Sequence, residues 1–128
     1  MGVERFGSGG PWEQDYGYSR AVRAGELVLV SGCTAIDEDG VVRCPGDAAG
    51  QVDAAIDAIE AALTQAGARL DQVVRTRMFV TDISRHDEIG RAHGARFGEI
   101  GPVTSMVEVQ ALIDPRMLIE IEAVAYVG

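Results

Sequence analysis

A chain of 128 residues with 47% hydrophobic and 24% charged residues can bury one core without metal or disulfide staples, and this balance argues against disorder. Its formal charge of −9 and pI near 4.5 repel phosphate backbones and anionic bilayers, which argues against nucleic acid and membrane as partners. No apolar run approaches membrane-spanning length and the opening MGVERFGSGGPWE lacks a signal-peptide core, so a cytoplasmic protein is expected.

In chain order, residues 3–6 read as a short first strand, followed by a punctuating loop of Gly7, Ser8, Gly9, Gly10 and Pro11. Trp12 and Tyr16 fall in a polar, turn-rich setting, where aromatics serve as a lid or subunit contact sooner than as a cofactor site. Residues 18–23 and 27–31 are strand-like runs separated by the hairpin signal Ala24-Gly25-Glu26, and Gly32 marks a bend or a close approach of backbone. Residues 34–36 and 41–43 flank a DEDG turn. A turn about Glu38 and Asp39 would set Cys33 opposite Cys44 within disulfide reach, whereas a turn at Asp39-Gly40 would not. In a reducing cytosol both are expected as free thiols, and they fit no metal spacing with a nearby His.

Asp47 is placed to cap a first helix, in which Val52, Ile56, Ile59 and Leu63 recur at spacings of four, three and four. Asp53, Asp57 and Glu60 take the opposite side and Gly67 ends the helix. Residues 73–82 form a strand rich in β-branched and apolar side chains. Ser84, with Asp87 three residues on, resembles a capping box that opens a second helix through Ile89, Ala92, Arg96 and Phe97. Gly90 and Gly94 weaken that helix by about 1 kcal/mol each. His86 and His93, seven residues apart, do not share metal-ligand spacing and are expected on the surface.

Residues 101–127 read as two strands joined by a short Pro-containing connection. In the second, Ile119, Ile121, Ala123 and Ala125 alternate with Glu120 and Glu122, so one face is core and the other carries two carboxylates. A glutamate flanked by isoleucines lies either at an exposed edge or in a cleft. Two helices can cover one face of such a sheet. The other also carries apolar side chains, either Val28 and Val30 or Leu27 and Leu29 according to which way the strand faces. A monomer would leave that face in water, so an oligomer is expected.

Four stretches together carry a family pattern: YSRAVRAGELVLVSG (residues 18–32), GDAAGQVDAAIDAIEAALTQAGA (46–68), QVVRTRMFVTD (72–82), and Pro102, Ser105, Val107, Glu108, Val109 and Leu112 followed by IEIEA from Ile119 and then Ala125. In this order and spacing they resemble the RidA/YjgF family, and they span nearly all of the chain after about residue 17. The resemblance implies one Rid-like domain over residues 1–128, an α+β fold of the chorismate mutase-like type with a mixed sheet and two helices on one face. It also implies a homotrimer with a barrel-like core and ligand clefts between subunits.

Members of the archetypal branch hydrolyse reactive 2-aminoacrylate-type enamines and imines without metal or cofactor, and an arginine after the motif proline clamps the substrate carboxylate. Here that position is Thr104, which places the chain in a branch lacking the arginine. A hydroxyl in place of a bidentate charged fork points to a substrate other than 2-aminoacrylate, or to a binding module without turnover. By the resemblance Glu120 is the glutamate of water activation or proton transfer, and an apolar setting would raise its pKa toward that role. Tyr18 matches the cleft tyrosine, Cys33 stands where many members have glutamine, and Ser105 and Met106 lie where strand backbone meets ligand. Thr104 and Glu120 are expected to face the same subunit boundary. Arg20 is the nearest candidate to replace the missing arginine, by strand alternation with Tyr18.

Overall fold

The computed structural model describes residues 2–128. Its strands are β1 (Val3–Phe6), β2 (Ala21–Ala24), β3 (Leu27–Cys33), β4 (Val73–Val80), β5 (Val103–Glu108) and β6 (Ile119–Tyr126). Its helices are α1 (Pro11–Tyr16), α2 (Ala48–Gln65) and α3 (His86–Phe97). The strands form one mixed sheet in the order β1-β2-β3-β6-β4-β5. Among the described residues, only β4 and β5 run parallel, as the α3 crossover between them requires, and the other pairs are antiparallel.

The apolar stripe of α2 forms as its spacing predicts. Val52, Ile56, Ile59 and Leu63 are fully buried and belong to one cluster with Val28 and Val30 of β3, Met78 and Val80 of β4, and Ile121, Ala123 and Ala125 of β6. Each large aliphatic side chain so buried contributes about 1.5–3 kcal/mol. Asp47 caps α2 by accepting from Gly50 N, and Gly67 takes a left-handed φ of 82° just past its end. Arg96 of α3 reaches Asp53 and Asp57 of α2 at 2.7 and 2.9 Å, so polar pairs close the outer seam between the helices.

Among the described residues, no helix packs on the opposite face of the sheet. It is Leu27 and Leu29 that point there, 43% and 44% exposed, together with Val103, Val107 and Tyr126. Among the described residues, no helix is long and apolar enough to cross a membrane.

Several local expectations need correction. Trp12 and Tyr16 lie in a short helix, begun by Pro11 at its first turn and ended by Gly17 in the left-handed conformation. Tyr18 and Arg20 precede β2 rather than lying within it. The DEDG turn centres on Asp39, with Ile36 opposite Val42 and the Asp37 carboxylate accepting from the backbone of Asp39 and Val41. That register does not set Cys44 opposite Cys33, and both thiols are free. Ser84 caps nothing: Asp82 accepts from its backbone and hydroxyl, opening a 3-10 turn over Ile83–Arg85 ahead of α3. His93 is not on the surface but 7% exposed.

Gln51 locks the layers together. Fully buried on α2, it donates to the carbonyls of Arg116 at 3.0 Å and Cys44 at 3.3 Å, and accepts from Leu118 N at 2.8 Å, just before β6. Gln51→Leu keeps the volume but strands these backbone groups, so urea denaturation should show a loss of roughly 2–4 kcal/mol with an unchanged slope. A change within 0.5 kcal/mol would remove the clamp from the account.

Candidate functional site

Period-2 alternation on β6 decides the site. With Ile119 and Ile121 fully buried against the helices, Glu120 must project to the uncovered face, opposite Phe79 of β4. On its other side β3 bulges between Val30 and Cys33. Gly32 sits in that bulge, and a Cβ there would lie 2.5 Å from Glu120 Oε2, so only glycine lets the carboxylate lie over β3.

A guanidinium is fixed beside it. Arg20 Nη1 donates to the carbonyl of Gly32 at 2.6 Å and approaches Cys33 Sγ at 3.6 Å, while its Nε lies 3.7 Å from Glu13 Oε2. The cation also stands 5.8 Å from the centre of the Tyr18 ring. Glu13, on α1 and only 8% exposed, accepts from both the backbone and the hydroxyl of Ser8. These groups border a cleft of about 950 Å³ between the α1 segment, the bulge of β3 and the start of β6.

Burial pushes the Glu120 carboxyl above the ordinary glutamate range; the Arg20 charge pulls it back, and Glu122 adds to the rise. Burial likewise raises the Cys33 thiol, partly offset by Arg20, so Cys33 is a poorer nucleophile than a free cysteine. Proton transfer at Glu120, with a fixed positive charge beside it, is the chemistry this arrangement can support.

The structure brings Tyr18, Cys33 and Glu120 together with Arg20, and separates them from Thr104, Ser105 and Met106 on edge strand β5. Thr104 and Glu120 do not face one boundary within a single chain. Thr104 shares a hydrogen bond with buried Thr76, whose partner across β6 is Ala123, and so lies on the helix-covered face, opposite to that of Glu120. Ser105 points to the uncovered face beside Arg77, and Met106 lies toward α3 near Gly90. Glu13 and its Ser8 support escaped the sequence reading, since nothing in GSGGPWE marks a buried carboxylate. Among the described residues, no three His, Cys, Asp or Glu side chains are grouped to hold a metal ion.

The family model described as endoribonuclease L-PSP matches residues 13–127, which takes in every element from β2 onward and the cleft except the loop before α1 and the first turn residues Pro11 and Trp12. The chain belongs to the Rid/YjgF family. A crystal structure of a Mycobacterium tuberculosis member of the YjgF/YER057c/UK114 family superposes on this Rid chain with a TM-score of 0.88 at 53% identity, covering 98% of this chain and 100% of the other. An uncharacterised Streptomyces coelicolor protein is 38% identical over 126 residues, covering 98% of this chain and 93% of its own. The 3-aminoacrylate deaminase RutC of Acinetobacter baylyi is 34% identical over 110 residues, 86% of each chain.

The raised carboxyl has a testable consequence for this Rid chain. The folded state holds the Glu120 proton more tightly than the unfolded chain, so this group's contribution to stability is present at low pH and is lost as pH rises through the folded value. Denaturation at several pH values should therefore show Glu120→Gln gaining on the wild type as pH climbs above the ordinary glutamate value of 4.5. Carbon NMR of the side-chain carboxyl should find Glu120 titrating above its ordinary value, and higher still in Arg20→Met. A carboxyl titrating at or below that value would contradict the burial assigned to it.

Proposed function

We propose that this protein binds a small reactive metabolite and hydrolyses it by enamine/imine deaminase-type chemistry, with Glu120 as the proton-transfer residue and no metal or cofactor. The observation that carries this is the half-buried Glu120 carboxyl, its pKa raised, beside the fixed Arg20 guanidinium and the Tyr18 ring in one cleft. In the reaction, water adds to the imine carbon and Glu120 takes its proton. Glu120 passes that proton to the nitrogen, then takes the hydroxyl proton of the tetrahedral adduct as the C–N bond breaks and delivers it to the nitrogen too, leaving a carbonyl and ammonia. Arg20 supplies a positive charge for an anionic group on the substrate. Tyr18 and Cys33 are wall residues that shape the pocket.

The working unit is a homotrimer in the cytoplasm. The apolar side chains of the uncovered face, Leu27, Leu29, Val103, Val107 and Tyr126, are what neighbouring copies would bury. Assembly also lets Thr104, Ser105 and Met106 of one copy border the Glu120 cleft of the next. With Thr104 where the family has its carboxylate-clamping arginine, the substrate differs from 2-aminoacrylate. The charge of −9 counts against RNA as the substrate, despite the name of the family model. A second reading, a small-molecule-binding or regulatory trimer without turnover, is favoured by the same loss of the anchor at Thr104.

Ammonia release from a panel of imines decides between the two. The wild type should accelerate release from at least one of them and do little with 2-aminoacrylate, and Glu120→Gln should lower the activity about 10²- to 10⁴-fold with no loss of melting temperature. Thr104→Arg should raise activity on 2-aminoacrylate about tenfold or more, the worth of one charged hydrogen bond. Equal release by the wild type and Glu120→Gln would leave the binding reading.

A further inference from the structure

His93 takes no part in the Glu120 cleft, yet its ring is held with unusual care. It lies tilted on Phe97 with ring centroids 4.7 Å apart, and its Nε2 is 2.8 Å from Thr76 Oγ1. Thr76, fully buried on β4, is in turn hydrogen-bonded to Thr104, with the two Oγ1 atoms 2.7 Å apart. Side chains of α3, β4 and β5 thus form an unbroken polar chain from the core to the edge of the sheet.

A hydroxyl has one proton to give. The three groups can run either way; run outward, Nε2–H donates to Thr76 and Thr76 to Thr104, which leaves the hydroxyl proton of Thr104 for an outside acceptor. Burial holds the imidazole in its neutral form, so the whole chain is uncharged. Each link polarises the next, which makes the terminal hydroxyl a better donor than an isolated threonine. Thr104 is itself exposed, and on the same face of β5 Met106 borders an open groove of about 520 Å³ that α3 lines with Asp87, Gly90 and Arg91.

We propose that Thr104, linked through Thr76 to His93, is a specificity residue that donates a hydrogen bond to an uncharged acceptor, a carbonyl oxygen or imine nitrogen, of the ligand. His93 is the positioning residue that sets the direction of the chain. This rests on the reading that Thr104 of one copy borders the cleft of the next, and it assigns the polarity of the ligand atom found there. A charged arginine at this position selects an anion; a neutral relay selects a neutral acceptor.

Two probes separate the proposal from the reading beneath it. 2-Oxobutyrate and 2-methylenebutyrate carry the same carboxylate and differ only in an oxygen or a CH₂ at carbon 2. Titrated into the full-length protein and followed by NMR, the oxo compound should bind about tenfold more tightly. Thr104→Val, Thr76→Val and His93→Phe should each bring the ratio near one without weakening the methylene probe. His93→Gln, whose amide can replace the Nε2–H donor, should keep part of the preference. Nitrogen NMR of the wild type should show neutral His93 protonated on Nε2. A ring protonated on Nδ1, or a preference untouched by Thr104→Val, would overturn the relay and leave the Glu120 cleft standing. Failure of both probes to bind would overturn both.

Discussion

The placement of β6 between β3 and β4 is the constraint on which the molecule depends. A strand paired on both sides cannot slip, and a period of two then leaves no freedom about where its side chains go. Burying Ile119, Ile121, Ala123 and Ala125 under α2 sends Glu120 and Glu122 to the face with no helix on it. The core thus sets the position of the one carboxylate in the cleft that burial raises. Gln51 reinforces the same point, because its bonds to Arg116 and Leu118 fix where the chain enters β6.

Around that carboxylate the electrostatics are a balance of unequal terms. Desolvation favours the protonated acid, while Arg20 favours the anion and loses that contest. Arg20 is not free to swing toward Glu120, since the Gly32 carbonyl holds one of its nitrogens and Glu13 draws on its Nε. Glu13 in turn is kept by Ser8, in the segment that leads into α1. A positive charge held by backbone is a preorganised one: a ligand meeting it need not order the side chain first.

Much of this was legible in the sequence, and what was not has physical reasons. The stripe of α2, its Asp47 cap, the alternation on β6 and the bend at Gly32 follow from local periodicity and chain stereochemistry, and the structure bears them out. Which way β3 faces was open because Leu and Val alternate along it; pairing with β6 settles it by burying Val28 and Val30. His93 was misplaced because a histidine on a weak, glycine-containing helix reads as solvent-facing, and the hydroxyl that satisfies it is seventeen residues away on β4. Glu13 was missed for a similar reason, since a buried carboxylate is invisible until its partners are known. The separation of Thr104 from Glu120 could not be read from sequence at all. It depends on β5 lying outside β4, which sets the two residues apart, and on a register that puts Thr104 beside Thr76 and Ala123, on the face opposite to Glu120.

That separation makes assembly the central claim, because the proposed cleft is complete only when β5 of one copy meets the Glu120 face of another. Sedimentation velocity at micromolar concentration tests it most directly. The account predicts a single species of three 13.6 kDa chains. A stable monomer at that concentration would leave Leu27, Leu29, Val103 and Tyr126 in water and Thr104 apart from Glu120, and would contradict it.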